Sequence, residues 1–179
     1  MKKILIALTV LCFSTIGFAQ ESNEYLKKAN TLDSTIEALY GVISGPKGQE
    51  RDWDLFRYLF HPEARLIVSG KGEDGQYGSR YITIDNYIES ASKWMVENGF
   101  YEKELHRVTE RFGPIAHVFS SYESFRTKED AEPFMSGINS IQLMHTGKRW
   151  MIINIYFTQE TEENPIPEKY LPADGRKKK

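Results

Sequence analysis

The stretch GINSIQLMHTGKRWMIINIYFTQE, Gly137 to Glu160, alternates apolar and polar residues on both sides of Thr146-Gly147-Lys148. A period of two around a short Gly-containing turn predicts a β-hairpin. Asn139, Ile141, Leu143 and His145 then share one face of its first strand, and Ile138, Ser140, Gln142 and Met144 share the other. The same period runs upstream through YEKELHRVTERFG and IAHVFSSYESFRT, with turns at Gly113-Pro114 and Lys128–Pro133. The second half of the chain is therefore predicted to hold four long consecutive strands.

The first half reads differently. Leu26, Ala29, Leu32, Ile36, Leu39, Tyr40 and Ile43 recur at spacings of three and four, which predicts one amphipathic helix from Glu24 to Ile43. Gly45-Pro46 ends it. Asp52 is placed to cap a short second helix with Trp53, Phe56, Leu59 and Phe60 on one side, stopped by His61-Pro62. ARLIVSG (Ala64–Gly70) and SRYITI (Ser79–Ile84) read as strands. Thr83 is placed to cap a third helix, IDNYIESASKWMVEN, whose buried stripe is Tyr87, Ile88, Ala91, Trp94 and Met95. Helices segregated from a mostly antiparallel sheet predict an α+β domain. A sheet of this length is expected to curl around the three helices and leave a cavity between them.

The N-terminus, MKKILIALTVLCFSTIGFAQE, has two lysines, an apolar run from Ile4 to Phe18, and Gly17 and Ala19 at the small positions of a cleavage site. This is the pattern of a cleaved export signal, residues 1–19, and it implies a periplasmic or extracellular protein. The apolar run is shorter than a membrane-spanning helix needs. Cleavage leaves 160 of the 179 residues, a single domain over 20–160 followed by a polar, Pro-rich, extended tail over 161–179. It also removes Cys12, the only cysteine, so neither a disulfide nor a thiol ligand is expected. The 25 acidic residues then face 21 basic ones, which argues against nucleic acid as a partner.

Several motifs point to no chemistry. Gly70-x-Gly72-x-x-Gly75 matches a dinucleotide fingerprint by letter, but a strand follows it instead of a helix, and Glu73 and Asp74 would repel phosphate. The four histidines lack metal-ligand spacing, and no Gly-x-Ser-x-Gly elbow occurs. Neither a metal nor a cofactor is expected. Glu123 is the carboxylate of most interest. It shares a strand face with His117, Phe119 and Ser121, opposite Ala116, Val118, Ser120, Tyr122 and Ser124. Alternation fixes the parity and leaves open which set faces inward. If the Glu123 set does, a His and a buried Glu share one cavity.

The order of elements, with DWDLFRYLFHPEARLIV, RVTERFGPIAHVFSSYES and the final hairpin, resembles the nuclear transport factor 2-like superfamily in its SnoaL-like branch. The resemblance covers nearly all of the chain after the export segment. It implies a cone-shaped fold with a deep pocket, the Asn139 face looking into the cone, and a homodimer formed through the outer sheet face. The ketosteroid isomerases of this superfamily place a carboxylate base where Val68 or Ser69 stands here, a second acid where Asn139 stands, and a donor tyrosine one position from Tyr40. The match therefore fails at the base. The limonene-epoxide hydrolases imply an Asp–Arg–Asp set, of which only Arg107 is present. The scytalone dehydratases imply two histidines, for which His106 and His117 on adjacent strands are the candidates.

These readings predict a secreted domain that binds a small apolar molecule in a hydrophobic pocket. Its contacts are Trp53, Tyr58, Trp94, Asn139 and Phe157, with Glu123 as a further anchor. The alternative is an acid–base isomerase, cyclase or lyase using a cluster of His106, Arg107, His117 and Glu123. A third reading is a protein-interaction module acting through the outer sheet face.

Overall fold

The computed structural model describes residues 23–175. The export segment with Cys12, and Arg176–Lys179, lie outside the described residues. The chain order is α1 (residues 23–29), α2 (Leu32–Ile43), α3 (Trp53–Leu59), β1 (Phe60–Lys71), β2 (Tyr77–Thr83), α4 (Ile84–Asn98), β3 (Tyr101–Phe112), β4 (Ile115–Phe125), β5 (Met135–His145) and β6 (Trp150–Gln159). The strands form one curved sheet in the order β2-β1-β6-β5-β4-β3, antiparallel except where β1 runs parallel to β6. The helices pack into its concave side, which makes the α+β cone. Among the described residues no helix is long and apolar enough to cross a membrane.

The expected helix Glu24–Ile43 is two helices. Thr31 adopts an extended conformation, and its hydroxyl accepts from the Ser34 amide at 3.0 Å while the Ser34 hydroxyl accepts from the Thr31 amide at 3.2 Å. This capping box restarts the helix at Leu32. The apolar period runs through the break because Ala29 and Leu32 both pack on the core, so periodicity alone does not register the cap. Downstream, α4 spans the predicted residues, with the Thr83 hydroxyl accepting from the Asn86 amide. It ends at Gly99, whose φ of 73° and approach to the Arg126 carbonyl (2.6 Å from a built Cβ) leave no room for a side chain. Trp94 is not in the buried stripe of α4: it is 38% exposed, with the Arg126 guanidinium over its ring.

β1 begins at Phe60, earlier than the predicted Ala64. Its ladder to β6 shifts register between Phe60 and Arg65, the interval that accommodates Pro62. The GKGEDGQYG segment is the β1–β2 turn, closed by Gly72 N–H to Gln76 C=O at 2.8 Å.

The core fills the space between helices and concave face. Ile36, Leu39, Phe56, Leu59, Val118, Tyr122, Ile141, Leu143 and Ile152 are all buried there. Buried Arg51 clamps the turn after α2. Its guanidinium donates to the carbonyls of Ile43 (2.9 Å), Gly45 (2.7 Å), Gln49 and Met95 (3.5 Å), which ties α2 to the end of α4.

The tail is not simply extended. Residues 161–175 fold back on the convex face. Ile166 is buried, Glu168–Tyr170 make a short 3-10 turn, and the Tyr170 ring packs on Phe119 at 4.8 Å. The fully buried Ser121 hydroxyl donates to the Tyr170 carbonyl at 2.6 Å. Three prolines in 161–175 set bends, and one apolar residue at the right place supplies the packing, so polar composition concealed a docked strap.

Candidate functional site

The site is built on the edge strand β3. Glu102 pairs with Ser124, Glu104 with Tyr122 and Arg107 with Ser120, while Lys103 pairs with Glu123 and His106 with Ser121. The ladder is irregular between Glu104 and His106. That bulge reverses the parity of everything after it, so Glu102, Glu104 and Arg107 all lie on the concave side with Ser120, Tyr122 and Ser124.

These side chains join a single network under α2. One Glu102 oxygen accepts from Asn139 Nδ2 at 3.3 Å, and the other accepts from the Ser124 hydroxyl at 3.1 Å. Asn139 Nδ2 also donates to the Tyr40 hydroxyl at 3.1 Å. The Ser120 hydroxyl donates to Glu104 at 2.5 Å and lies 2.8 Å from the Tyr40 hydroxyl. Ser120 has one proton, and the Glu104 carboxylate only accepts, so Tyr40 must be the donor to Ser120. The direction is therefore fixed: Asn139 to Tyr40 to Ser120 to Glu104. Arg107 completes the chain with ion pairs to Glu104 at 2.7 Å and to Asp33 at 3.0 Å.

Burial pushes the Glu102 carboxyl up from 4.5 to about 7, against the hydrogen bonds from Ser124 and Asn139, which lower it. Burial, and then the charge of Glu102, raise the hydroxyls of Tyr40, Tyr87 and Tyr122 above the ordinary tyrosine range. Glu102 is thus the ionisable centre of the concave side, with hydroxyls facing it from α2, α4 and β4.

Glu102 opens onto a cavity of about 900 Å³. Tyr40, Gly41 and Ser44 of α2 form one wall, and Tyr101 to Leu105 form another. The β4–β5 connection from Thr127 to Pro133 forms the third, and Pro172, Asp174 and Gly175 of the strap close the end. Its lining is rich in charge. The edge strand turns Glu102 and Glu104 toward this cavity.

The predicted acid–base cluster does not assemble. Arg107 faces the helices. His106, His117 and Glu123 lie on the convex side of the sheet by their register, and of the three only Glu123 also lines the Glu102 cavity. His106 and His117 pair with Ser121 and Glu110, four positions apart along the ladder, so they do not meet. His117 instead lies 2.9 Å from the Ser140 hydroxyl and 3.9 Å from Glu110. The open question of the β4 faces is answered by burial: Ala116, Val118, Ser120, Tyr122 and Ser124 are the buried set.

The predicted ligand contacts also scatter. Asn139 and Phe157 are neighbours on the concave face, paired across β5 and β6. Both Asn139 N–H groups are already used, on Tyr40 and Glu102, so Asn139 positions Glu102 and is not an open anchor. Tyr58 lies under the Arg149 guanidinium at 3.9 Å. Trp53 packs edge-on against Phe56 with its buried Nε1–H unpartnered. Trp94 sits on the outer side of α4 beside Phe100 and Phe134. None of Trp53, Tyr58, Trp94, Asn139 or Phe157 lines the Glu102 cavity. The sequence reading missed Glu102, Glu104 and Asp33. The only signal for Glu102 was its cross-strand partner: Ser124 belongs to the face that carries Val118 and Tyr122.

No protein-family model matches the sequence, and no curated protein matches it. Solved structures do. A function-unknown protein from Mycobacterium tuberculosis superposes with a TM-score of 0.55 at 14% identity, over 80% of this chain and 84% of that one. A protein of unknown function with a cystatin-like fold from Nostoc punctiforme gives 0.54 at 10% identity, over 73% and 90%. A nuclear transport factor 2-like protein of unknown function from Silicibacter pomeroyi gives 0.50 at 13% identity, over 72% and 92%. At these identities the likeness is one of architecture, and the architecture of this chain is the nuclear transport factor 2-like fold.

Proposed function

We propose that this chain binds a small molecule in the cavity beside β3 and that Glu102 engages the polar part of the ligand. One observation carries the reading. The Glu102 carboxylate stands on the cavity wall, held by Asn139 and Ser124 through one hydrogen bond to each oxygen, with burial raising its pKa to about 7. Each oxygen keeps acceptor capacity for a ligand donor. Tyr40, Tyr101, Phe125 and Pro133 give the ligand body an apolar wall. The test is a thermal-shift and NMR screen of the chain from Gln20 onward against a broad set of small metabolites. Ligands that raise the unfolding midpoint and move the signals of Glu102 and Ser124 are expected. A broad set with no such ligand contradicts the proposal.

A second reading is favoured by the same pKa. A carboxyl that titrates near neutrality is suited to take and return a proton, as an isomerase or lyase requires. The measurement is deuterium uptake from solvent at an acidic C–H of a bound ligand. Glu102→Gln should abolish it, and uptake that survives this change removes Glu102 from the chemistry.

The proposal extends to a second copy of the chain on the convex face, where Val108, Tyr156 and Tyr81 are exposed in one row across the sheet. Light scattering of the wild type and of Tyr156→Glu tests it: a monomeric wild type removes the second copy. Export is tested by sequencing the N-terminus of protein recovered outside the cytoplasm, which should begin at Gln20.

A further inference from the structure

We propose that the crevice between the strap and the convex face of the sheet is a second small-molecule site, for a neutral molecule of one or two rings that carries an N–H or O–H donor. The crevice shares no lining residue with the Glu102 cavity, so it stands whether or not that cavity takes a ligand.

The crevice has a volume of about 320 Å³, at the small end for ligand pockets. Phe119, Ile138 and Tyr156 form its sheet side, and Pro165, Ile166 and Tyr170 of the strap stand over it. The strap is fixed on both sides of this span. On one side the Lys71 ammonium pairs with Glu163 at 2.9 Å, and a Glu160 carboxylate oxygen accepts from the Ile166 amide at 2.9 Å. On the other, Tyr170 is held by the Ser121 hydroxyl on its carbonyl and by Phe119 against its ring. Between the anchors, Pro165 and Pro167 fix the backbone on either side of Ile166 and stiffen the span. Ile166 is buried, yet Phe119, Ile138 and Tyr170 each keep part of their surface, and Tyr156 is 45% exposed. The strap therefore roofs apolar surface without filling the space above it. A ligand that fills the crevice removes that surface from water.

The polar atoms of the lining set the charge and the donor pattern of the ligand. Glu160 is the one charged side chain among the described lining residues, and the Ile166 amide already engages it. An anion finds no cation there, and a cation has to compete with the strap backbone for Glu160, so either ion loses its water without a ready partner. The Ser69 hydroxyl donates to the Gly78 carbonyl at 3.3 Å, and the Thr158 hydroxyl donates to the Ser69 carbonyl at 3.1 Å. Both protons are in use, so each oxygen offers a ligand only a lone pair. A neutral ring with one donor meets this lining.

The experiment is an NMR titration of the full chain at about pH 7 with indole, compared with 1-methylindole, indole-3-carboxylate and tryptamine. Indole should shift the methyl signals of Ile138 and Ile166 and show nuclear Overhauser contacts to both. It should bind at least about tenfold more tightly than either ion. It should also bind several-fold more tightly than 1-methylindole, which lacks the donor. Its affinity should be the same at about 20 mM and about 500 mM salt. Ser140→Phe, which fills the crevice from its half-buried sheet side, should weaken indole by at least about tenfold. Tyr170→Ala should weaken it several-fold. The contacts to Ile138 and Ile166 are read in the wild type, so they decide the matter even where a variant does not fold. No binding, contacts only to residues outside the crevice, or an ion that binds there as tightly as indole overturns the proposal. Binding that appears only as the protein concentration rises also overturns it. Tyr156 belongs to the row proposed for a second copy, and the ligand would then sit between copies.

Discussion

Asn139 holds Tyr40 and Glu102 with one amide nitrogen: Nδ2 lies 3.1 Å from the Tyr40 hydroxyl and 3.3 Å from a Glu102 carboxylate oxygen. An amide supplies two donors from one atom and carries no charge, so it joins a hydroxyl and a carboxylate without adding to the negative charge. Asn139→Asp removes both donors and sets a second carboxylate beside the first. Two carboxylates in contact resist ionising together. The substitution should raise the Glu102 pKa and cost roughly 2–3 kcal/mol of stability at about pH 8. The loss should be smaller at about pH 5, where one proton is shared. Urea unfolding at the two pH values measures both.

Glu102 alone gives the wild type a pH dependence of predictable sign. Its pKa is about 7 in the folded chain against 4.5 in the ordinary state, so the folded chain binds this proton more tightly. The contribution is fully present below 4.5 and is lost as pH rises through about 7. A difference of this size corresponds to roughly 3 kcal/mol at most. Glu102→Gln, which cannot ionise, should flatten the decline between about pH 5 and about pH 8. Equal slopes for wild type and variant would contradict the assignment.

The directed chain from Tyr40 through Ser120 to Glu104 predicts coupling. Tyr40→Phe removes the donor to Ser120 and the acceptor for Asn139, at a cost of about 1–2 kcal/mol. Ser120→Ala should cost a similar amount. Because the two hydroxyls bond each other, the double variant should lose less than the sum, with an interaction energy of about 1 kcal/mol in a thermodynamic cycle. Strict additivity would mean that the 2.8 Å contact carries no energy.

Arg51 is a structural counterpart to this network. Its buried guanidinium donates to carbonyls of the α2–α3 connection and of α4. Arg51→Met fits the space but leaves those carbonyls without their donor, and should cost about 3 kcal/mol. Arg51→Lys should recover less than half of that, because an ammonium has no planar fork to reach several carbonyls at once. Chemical denaturation of both variants is the check.

Much of the fold was legible in the sequence because local chemistry and burial agreed. Thr83, the Ile84–Asn98 period and Gly99 all specify one helix. The alternation of the final hairpin placed Asn139 with Ile141 and Leu143, and the structure buries all three. The candidate site was harder to read, for a physical reason. Periodicity assigns faces only while the register is unbroken, and β3 carries a bulge after Glu104. Without it, YEKELHR reads as a half-exposed edge strand with Tyr101 and Leu105 inward. With it, Glu102, Glu104 and Arg107 face the helices together. Asp33 was out of reach for a different reason: it lies 74 residues from Arg107, and only the packing of α2 on β3 brings them together. Glu123 and His117, the pair of most interest in the sequence, share a face as their parity requires, but the curvature of the sheet makes that face the convex one.

The most direct test is the titration of the Glu102 carboxyl carbon by ¹³C NMR in the wild type, assigned by comparison with Glu102→Gln. The structure predicts a midpoint near 7, set by burial beneath Tyr40 and between Asn139 and Ser124. A midpoint near the ordinary 4.5 would contradict it, because the carboxylate would then be freely solvated and the polar centre of the cavity would not exist.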